Sequence, residues 1–178
     1  MTRVAITGGP GVGKTTVLAA LREQGWRVVD EAARAVISER LAKGLSPRPS
    51  PAEFAREVVR CDLDAFERHR FTEDWVLFDR GLIDGLGLLL EADPGARDEV
   101  GALLEAHPFH RVGFVLPPWR EIYRTDEERD QSFDDCLRIH ASLLRWYEHC
   151  GVELLEVPRG PVDERARFII GQLGTRGA

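Results

Sequence analysis

The chain alternates short apolar runs with longer stretches in which apolar residues recur every three or four positions. Residues 3–7 (RVAIT) are a compact run of β-favouring residues ending in glycines, the profile of a strand buried on both faces. From Lys14 to Gln24 the period changes, and Val17, Leu18 and Leu21 fall on one side of a helix that Gly25 is placed to stop. Residues 26–30 (WRVVD) predict a second strand and 31–44 a helix closed by Gly44, followed by a proline-rich surface loop, LSPRPSP. Ser50, Pro51 and Glu53 then supply an N-cap, a first-turn proline and a capping-box carboxylate. The helix they open runs to about Phe71, with Phe54, Val58, Cys61 and Ala65 at helical spacing and a solvated charged face opposite.

The same alternation continues. WVLFD at 75–79 predicts a third strand, and Leu82–Leu90 an apolar helix that Pro94 ends. A short helix at 96–106 precedes a fourth strand, RVGFVL at 111–116. Thr125 and Glu128 form another capping box, opening a long helix with Phe133, Leu137, His140, Leu144 and Tyr147 on one side. VELLEV at 152–157 is the fifth strand, and 162–173 the last helix. Strands that alternate with helices and are themselves mostly apolar imply a parallel sheet covered on both faces, a three-layer, doubly wound α/β fold.

Composition narrows what such a fold can do. At 178 residues and 43% hydrophobic, without a break in composition, residues 1–178 are expected to form one well-cored domain. A net charge of -6 argues against a duplex-binding or membrane-surface protein, either of which would concentrate basic residues on one face. With no apolar run near the roughly 20 residues needed to span a bilayer and no leader ahead of the first strand, a cytoplasmic location is expected. Three cysteines without CxxC spacing make neither a disulfide framework nor a zinc site. Cys61 and Cys136 read as small hydrophobes on helical stripes, and the Cys136/His140 spacing finds no third or fourth metal ligand nearby.

Basic residues carry the first chemical signal. Of 24, 22 are arginine and two are lysine, and one of the two, Lys14, lies in GGPGVGKTTV. Lysine offers a compact point charge where arginine offers a broad fork, a difference that matters in a narrow site lined by backbone. Gly8, Gly13, Lys14 and Thr15 meet the pattern G-x-x-x-x-G-K-[ST], placed after a strand and at a helix start. At this composition the pattern arises by accident about once in a thousand chains. Glycines let the loop curl so that successive N–H groups point inward, and the helix start adds unpaired N–H groups and its positive dipole end. The loop Gly9, Gly11, Val12, Gly13, Lys14, Thr15 and Thr16 is therefore the expected phosphate cradle, Lys14 reaching the terminal phosphates and Thr15 ligating Mg2+.

Ligands of open α/β sheets bind beyond the carboxyl ends of the strands. Strand two ends in Asp30 and Glu31, with Arg34 one turn on; strand three ends in Asp79 and Arg80, with Asp84 shortly after. Asp79 has the place of a carboxylate that holds Mg2+, against the alternative of capping the next helix. Glu31 has the place of a general base for an acceptor hydroxyl, against the alternative of a first-turn carboxylate answering the helix dipole. Arg80 can clamp substrate or phosphate; Arg34 can pair with Glu31 or bind an anion. In PPWREIYRTDEERDQ, Arg120, Arg124 and Arg129 stand either in a closing lid that steadies a transferring phosphoryl group or in a surface lattice with Glu121, Asp126, Glu127 and Glu128.

The set TGGPGVGKTT, VVDEAAR, FDRG, LPPWREIYRTDEER and EVPRGPVDERARFI resembles the predicted ATPases of the P-loop kinase group related to the nicotinamide riboside kinase domain, over nearly the whole chain and in the same order. The resemblance implies a P-loop NTPase, kinase-like core with a five-stranded sheet in order 2-3-1-4-5, ATP with Mg2+, and a mobile lid at about 117–132. By similarity to nucleoside and thymidylate kinases it also implies that Asp79 and Arg80 lie near Mg2+ and phosphate, that Glu31 lies at the acceptor site, and that Pro158 and Gly160 border the adenine. No N-K-x-D or T-K-x-D guanine signature occurs, which favours ATP. Two functions follow as expectations: a kinase of a small metabolite or nucleoside-like acceptor, monomeric or homodimeric, and a regulatory ATPase whose loops switch a partner protein. A nucleic-acid enzyme is disfavoured for want of a basic, aromatic-rich stripe.

Overall fold

A computed structural model describes residues 2–123 and 132–174. Its sheet has five strands, β1 (Arg3–Gly8), β2 (Arg27–Val29), β3 (Val76–Asp79), β4 (Val112–Leu116) and β5 (Glu153–Glu156), in the order β2-β3-β1-β4-β5. Every pairing is parallel. Seven α-helices connect and cover it: α1 (Lys14–Glu23), α2 (Ala32–Ala42), α3 (Pro51–Arg68), α4 (Leu82–Ala92), α5 (Arg97–Ala106), α6 (Phe133–His149) and α7 (Val162–Gly174). The expected three-layer α/β architecture and strand order are both met.

Alternation within the central strands divides the interior in two. On β1, Ala5 faces one way and Val4 and Ile6 the other; on β3, Phe78 and Leu77 divide likewise. Ala5 and Phe78 share a core with Phe66 of α3, Leu82, Leu86 and Leu89 of α4, Val100 of α5 and Tyr147 of α6. Val4, Ile6 and Leu77 share the other with Val17, Leu18 and Leu21 of α1 and Ala166, Ile169 and Leu173 of α7. Each large side chain fully withdrawn from water in these cores contributes about 1.5–3 kcal/mol. A third, small cluster of Ala32, Val36 and Val58 ties α2 to α3.

Two helix faces differ from expectation. The buried side of α3 is Ala55, Val58, Val59, Asp62, Ala65 and Phe66, so the inner stripe lies beside Phe54 and Cys61, not through them. On α6, Leu137 and Leu144 are exposed, and Cys136 and Tyr147 are the buried residues. The helix holding Phe133 opens at Ser132, whose side chain accepts from the Asp135 N–H in a reciprocal capping box, not at Thr125; Thr125 and Glu128 lie outside the described residues.

β1 is flanked by β3 on one side and β4 on the other, Ile6 standing opposite both Asp79 and Phe114. The connection leaving β1 runs toward β2 and the one leaving β3 runs back past β1 to β4, and this divergence opens a crevice at the carboxyl ends of β1 and β3.

Candidate active site

The loop between β1 and α1 fills that crevice. Gly13 caps α1 with φ +79°, a left-handed conformation that a side chain would strain, and a Cβ there would meet the Arg165 guanidinium at 2.9 Å. Gly11, at φ +71°, lies under the Tyr123 ring, 2.7 Å from where its own Cβ would stand. Gly9 rests on Cys136, whose thiol donates to the Pro10 carbonyl at 3.2 Å. Val12 is buried, and its carbonyl accepts from Arg165 of α7 at 2.8 Å. Lys14 is buried at the first position of α1, while Thr15 and Thr16 are exposed at the helix start. A curled glycine loop leading into a helix N-terminus is a geometry suited to phosphate oxygens.

Lys14 pairs closely with Asp79, and its ammonium stands 4.0 Å from Glu31. Burial, reinforced by Arg80, pulls the Lys14 pKa below its ordinary value against the pull of Asp79 and Glu31. Burial likewise raises the Asp79 carboxyl, against the pull of Lys14. Both directions express one cost: the pair is charged in a place that favours neutrality. Asp79 ends β3 and caps nothing, because the N-cap of α4 is Gly81.

Glu31 is the N-cap of α2, but its carboxylate makes no cap bond. It accepts instead from Arg34 at 3.2 Å and from Arg80 at 3.2 Å. Desolvation pushes its pKa up, but Arg80, Lys14 and Arg34 outweigh that and hold it low. Arg80 takes φ +70°, the non-glycine residue of the described chain with a positive φ. Strain of this kind costs about 1–3 kcal/mol and gathers at functional sites. Here it turns the guanidinium toward Glu31 and toward Asp84 at 3.4 Å, while the Arg80 N–H donates to the Ile6 carbonyl at 2.9 Å. Asp30, next to Glu31 in sequence, points away and pairs with Arg22 at the surface.

Other participants were less visible in the sequence. Asp84 accepts from Thr7 at 2.8 Å and closely from the Tyr147 hydroxyl, fastening α4 to β1 and α6. Asp62, 4% exposed, stands close enough to Asp84 and Glu31 for their charges to act on it. Its position on the buried stripe of α3 was the available signal, hidden by drawing that stripe through its neighbours. Arg165 is buried, stacks its guanidinium 5.7 Å over the Trp119 ring and bonds the phosphate loop from behind.

Ile122 and Tyr123, within the expected lid, lie on the loop: Ile122 stands 3.3 Å from where a Gly13 Cβ would be, and Tyr123 covers Gly11. Arg120 stacks on Phe133 at 4.3 Å, while Arg124 and Arg129 lie outside the described residues. Beyond β5, Pro158 is exposed and Gly160 partly buried; between them Arg159 donates to the Pro118 carbonyl at 2.9 Å, drawing this loop to the segment after β4. Among the described residues no three His, Cys, Asp or Glu side chains are placed to hold a metal ion. A hydroxyl at Thr15 and a carboxylate at Asp79 suit an ion that keeps waters and takes its other ligands from phosphate, as Mg2+ does. No described helix is long and apolar enough to cross a membrane.

Comparison with known proteins agrees with this geometry. A family model described as an AAA domain matches residues 3–165. No curated protein sequence matches the chain. Among solved structures, shikimate kinase from Aquifex aeolicus is similar at 19% identity with a TM-score of 0.56, over 98% of this chain and 97% of that one. Deoxyadenosine kinase from M. mycoides, with dCMP and dCDP bound, is similar at 14% identity with a TM-score of 0.67, over 97% and 99%. NadR in complex with NAD and AMP-PNP is similar at 15% identity with a TM-score of 0.69, over 99% of this chain but 50% of that one. At such identities the likeness establishes the fold, that of P-loop kinases.

Proposed function

Since the chain belongs to the AAA domain family and has the P-loop kinase fold, we propose that it is a Mg2+-dependent phosphotransferase that moves the terminal phosphoryl group of ATP to a hydroxyl of a small metabolite or nucleoside-like acceptor. The carrying observation is that Lys14, Glu31, Asp79 and Arg80, from three separate β–α junctions, form one charge network at the switch point of the sheet.

Thr15 and Asp79 would hold Mg2+, which would supply charge neutralisation at the phosphates. The N–H groups from Gly9 to Thr16 bind the phosphates, and Pro158 and Gly160 border the adenine. Lys14 leaves Asp79 for the terminal phosphate, exchanging one oxyanion partner for another and freeing the carboxylate to face the metal. Glu31, held low in pKa and therefore ionised, accepts the proton of the acceptor hydroxyl. Arg80, fixed by Asp84 and by its own backbone conformation, steadies charge on the transferring group. Arg124 and Arg129, following the Tyr123 cover, supply further positive charge.

Ile122 and Tyr123 on the phosphate loop also favour a second reading, in which hydrolysis moves this segment to signal to a partner protein. Glu31 would then position water. The two separate in one assay: hydroxylated metabolites are screened for ATP-dependent phosphorylation with the wild type and Glu31→Gln. The kinase reading expects an acceptor that raises ADP release well above the water background, and a fall of about 100-fold or more in that rate for Glu31→Gln with the ATP KM little changed. Release that no acceptor raises sinks it.

A further inference from the structure

The carboxylates around the site differ in how they are satisfied. Asp84 has Thr7, Tyr147 and Arg80; Glu31 has Arg34, Arg80 and, at longer range, Lys14. Asp62 has no hydrogen bond or ion pair among the described residues, although it is 4% exposed. Its oxygens keep a little contact with solvent, so a donor entering from the crevice can reach them. Asp62 stands one turn beyond Val58, which packs on Ala32, the residue after Glu31, so this part of α3 faces the Glu31 side of the crevice.

Room for it is made by Gly85 of α4. A Cβ at Gly85 would stand 2.7 Å from Asp62 Oδ2, with Val58 and Val59 at 3.5 and 3.6 Å. The carboxyl lies against the backbone of α4 at Gly85, and the charges that act on it among the described residues are those of Asp84 and Glu31. Burial, then those two charges, pushes its pKa up to about 8. What the position lacks is a hydrogen-bond donor carrying positive charge.

We propose that the acceptor is a hydroxylated amine: its hydroxyl meets Glu31, and its ammonium or amidinium N–H groups meet Asp62 in the cleft between α2, α3 and α4. The inference rests on the kinase reading and narrows its acceptor to a chemical class. The acceptor ammonium takes the place of the proton that Asp62 otherwise holds, which passes to solvent, so the new ion pair adds no net charge beside the bound phosphates. A neutral polyol of the same shape leaves Asp62 as it was, so the site discriminates between the two.

The test uses the full chain with AMP-PNP and Mg2+, titrated calorimetrically with matched pairs: amino sugars, amino alcohols and aminonucleosides, each against its hydroxyl counterpart. At least one amine is expected to bind ten-fold or more tightly than its counterpart. Asp62→Asn should erase that ratio, and Gly85→Ala, which displaces the carboxyl without removing it, should reduce it. A panel in which no amine is preferred, or a preference that survives Asp62→Asn, overturns the proposal. Assay of the same pairs with ATP separates the two levels. Phosphorylation without an amine preference keeps the kinase reading and rejects the role of Asp62; Asp62-dependent amine binding without phosphoryl transfer keeps the site and rejects the kinase.

Discussion

Lys14 and Asp62 show how burial sets the terms for single residues. Lys14 is 7% exposed between Asp79 and the start of α1, and a planar guanidinium is wider than the space its ammonium occupies. Lys14→Arg therefore preserves charge but should lower ATP turnover by about 100-fold or more, read as ADP release at saturating Mg2+; near-normal turnover would remove Lys14 from the phosphate site. Asp62 makes a prediction about pH. Its folded-state pKa is near 8 and its ordinary value 3.8, so the folded chain keeps a proton that the unfolded chain gives up. Stability from this group is whole below about pH 4, declines as pH rises and is lost above about pH 8. Asp62→Asn should accordingly come within about 1 kcal/mol of the wild type at pH 4.5 and exceed it by a few kcal/mol at pH 9, since each pH unit of displacement is worth about 1.4 kcal/mol. Denaturant unfolding at the two pH values measures the gap, and a constant gap would place the charge in water.

At the scale of elements, what sequence could foresee followed from repetition. Among the described residues, five strands and seven helices declared themselves through short apolar runs, 3.6-residue stripes and caps such as Ser50 with Glu53. The phosphate loop was legible because glycines, a lysine and a threonine at fixed spacing have few other uses. What stayed hidden depends on helix rotation. Apolar residues at Phe54 and Cys61 gave a credible inner face to α3, and only packing against α4 turns Asp62 inward. Leu137 and Leu144 misled in the same way on α6. Arg165 was hidden by distance, since its contact with Val12 joins residues 153 positions apart. Removing that donor leaves a buried carbonyl unsatisfied at a cost of about 1–3 kcal/mol. Arg165→Met, which retains the stem, should lower the melting temperature by several degrees and raise the ATP KM. An unchanged KM would show that α7 supports the loop without shaping it.

Across the whole molecule the two halves of the site are anchored unequally. The phosphate loop springs from β1, whose side chains serve two large cores and whose neighbours are β3 and β4. Glu31 sits between β2, an edge strand of three residues with no fully buried side chain, and α2, which adds Ala32 and Val36 to a small cluster. Opening free energy follows buried contact. Native-state hydrogen exchange should therefore show α2 amides exchanging by local opening well before those of β1, and equal protection would contradict this division. A one-residue insertion in β1 would interchange Val4 and Ile6 with Ala5 across the sheet and disrupt both cores at once. Substitutions on α2 and the facing side of α3 disturb only a few neighbours. Descent with modification meets these two halves differently: changes at the β1 end are removed as misfolded chains, while changes around Glu31 survive to be sampled.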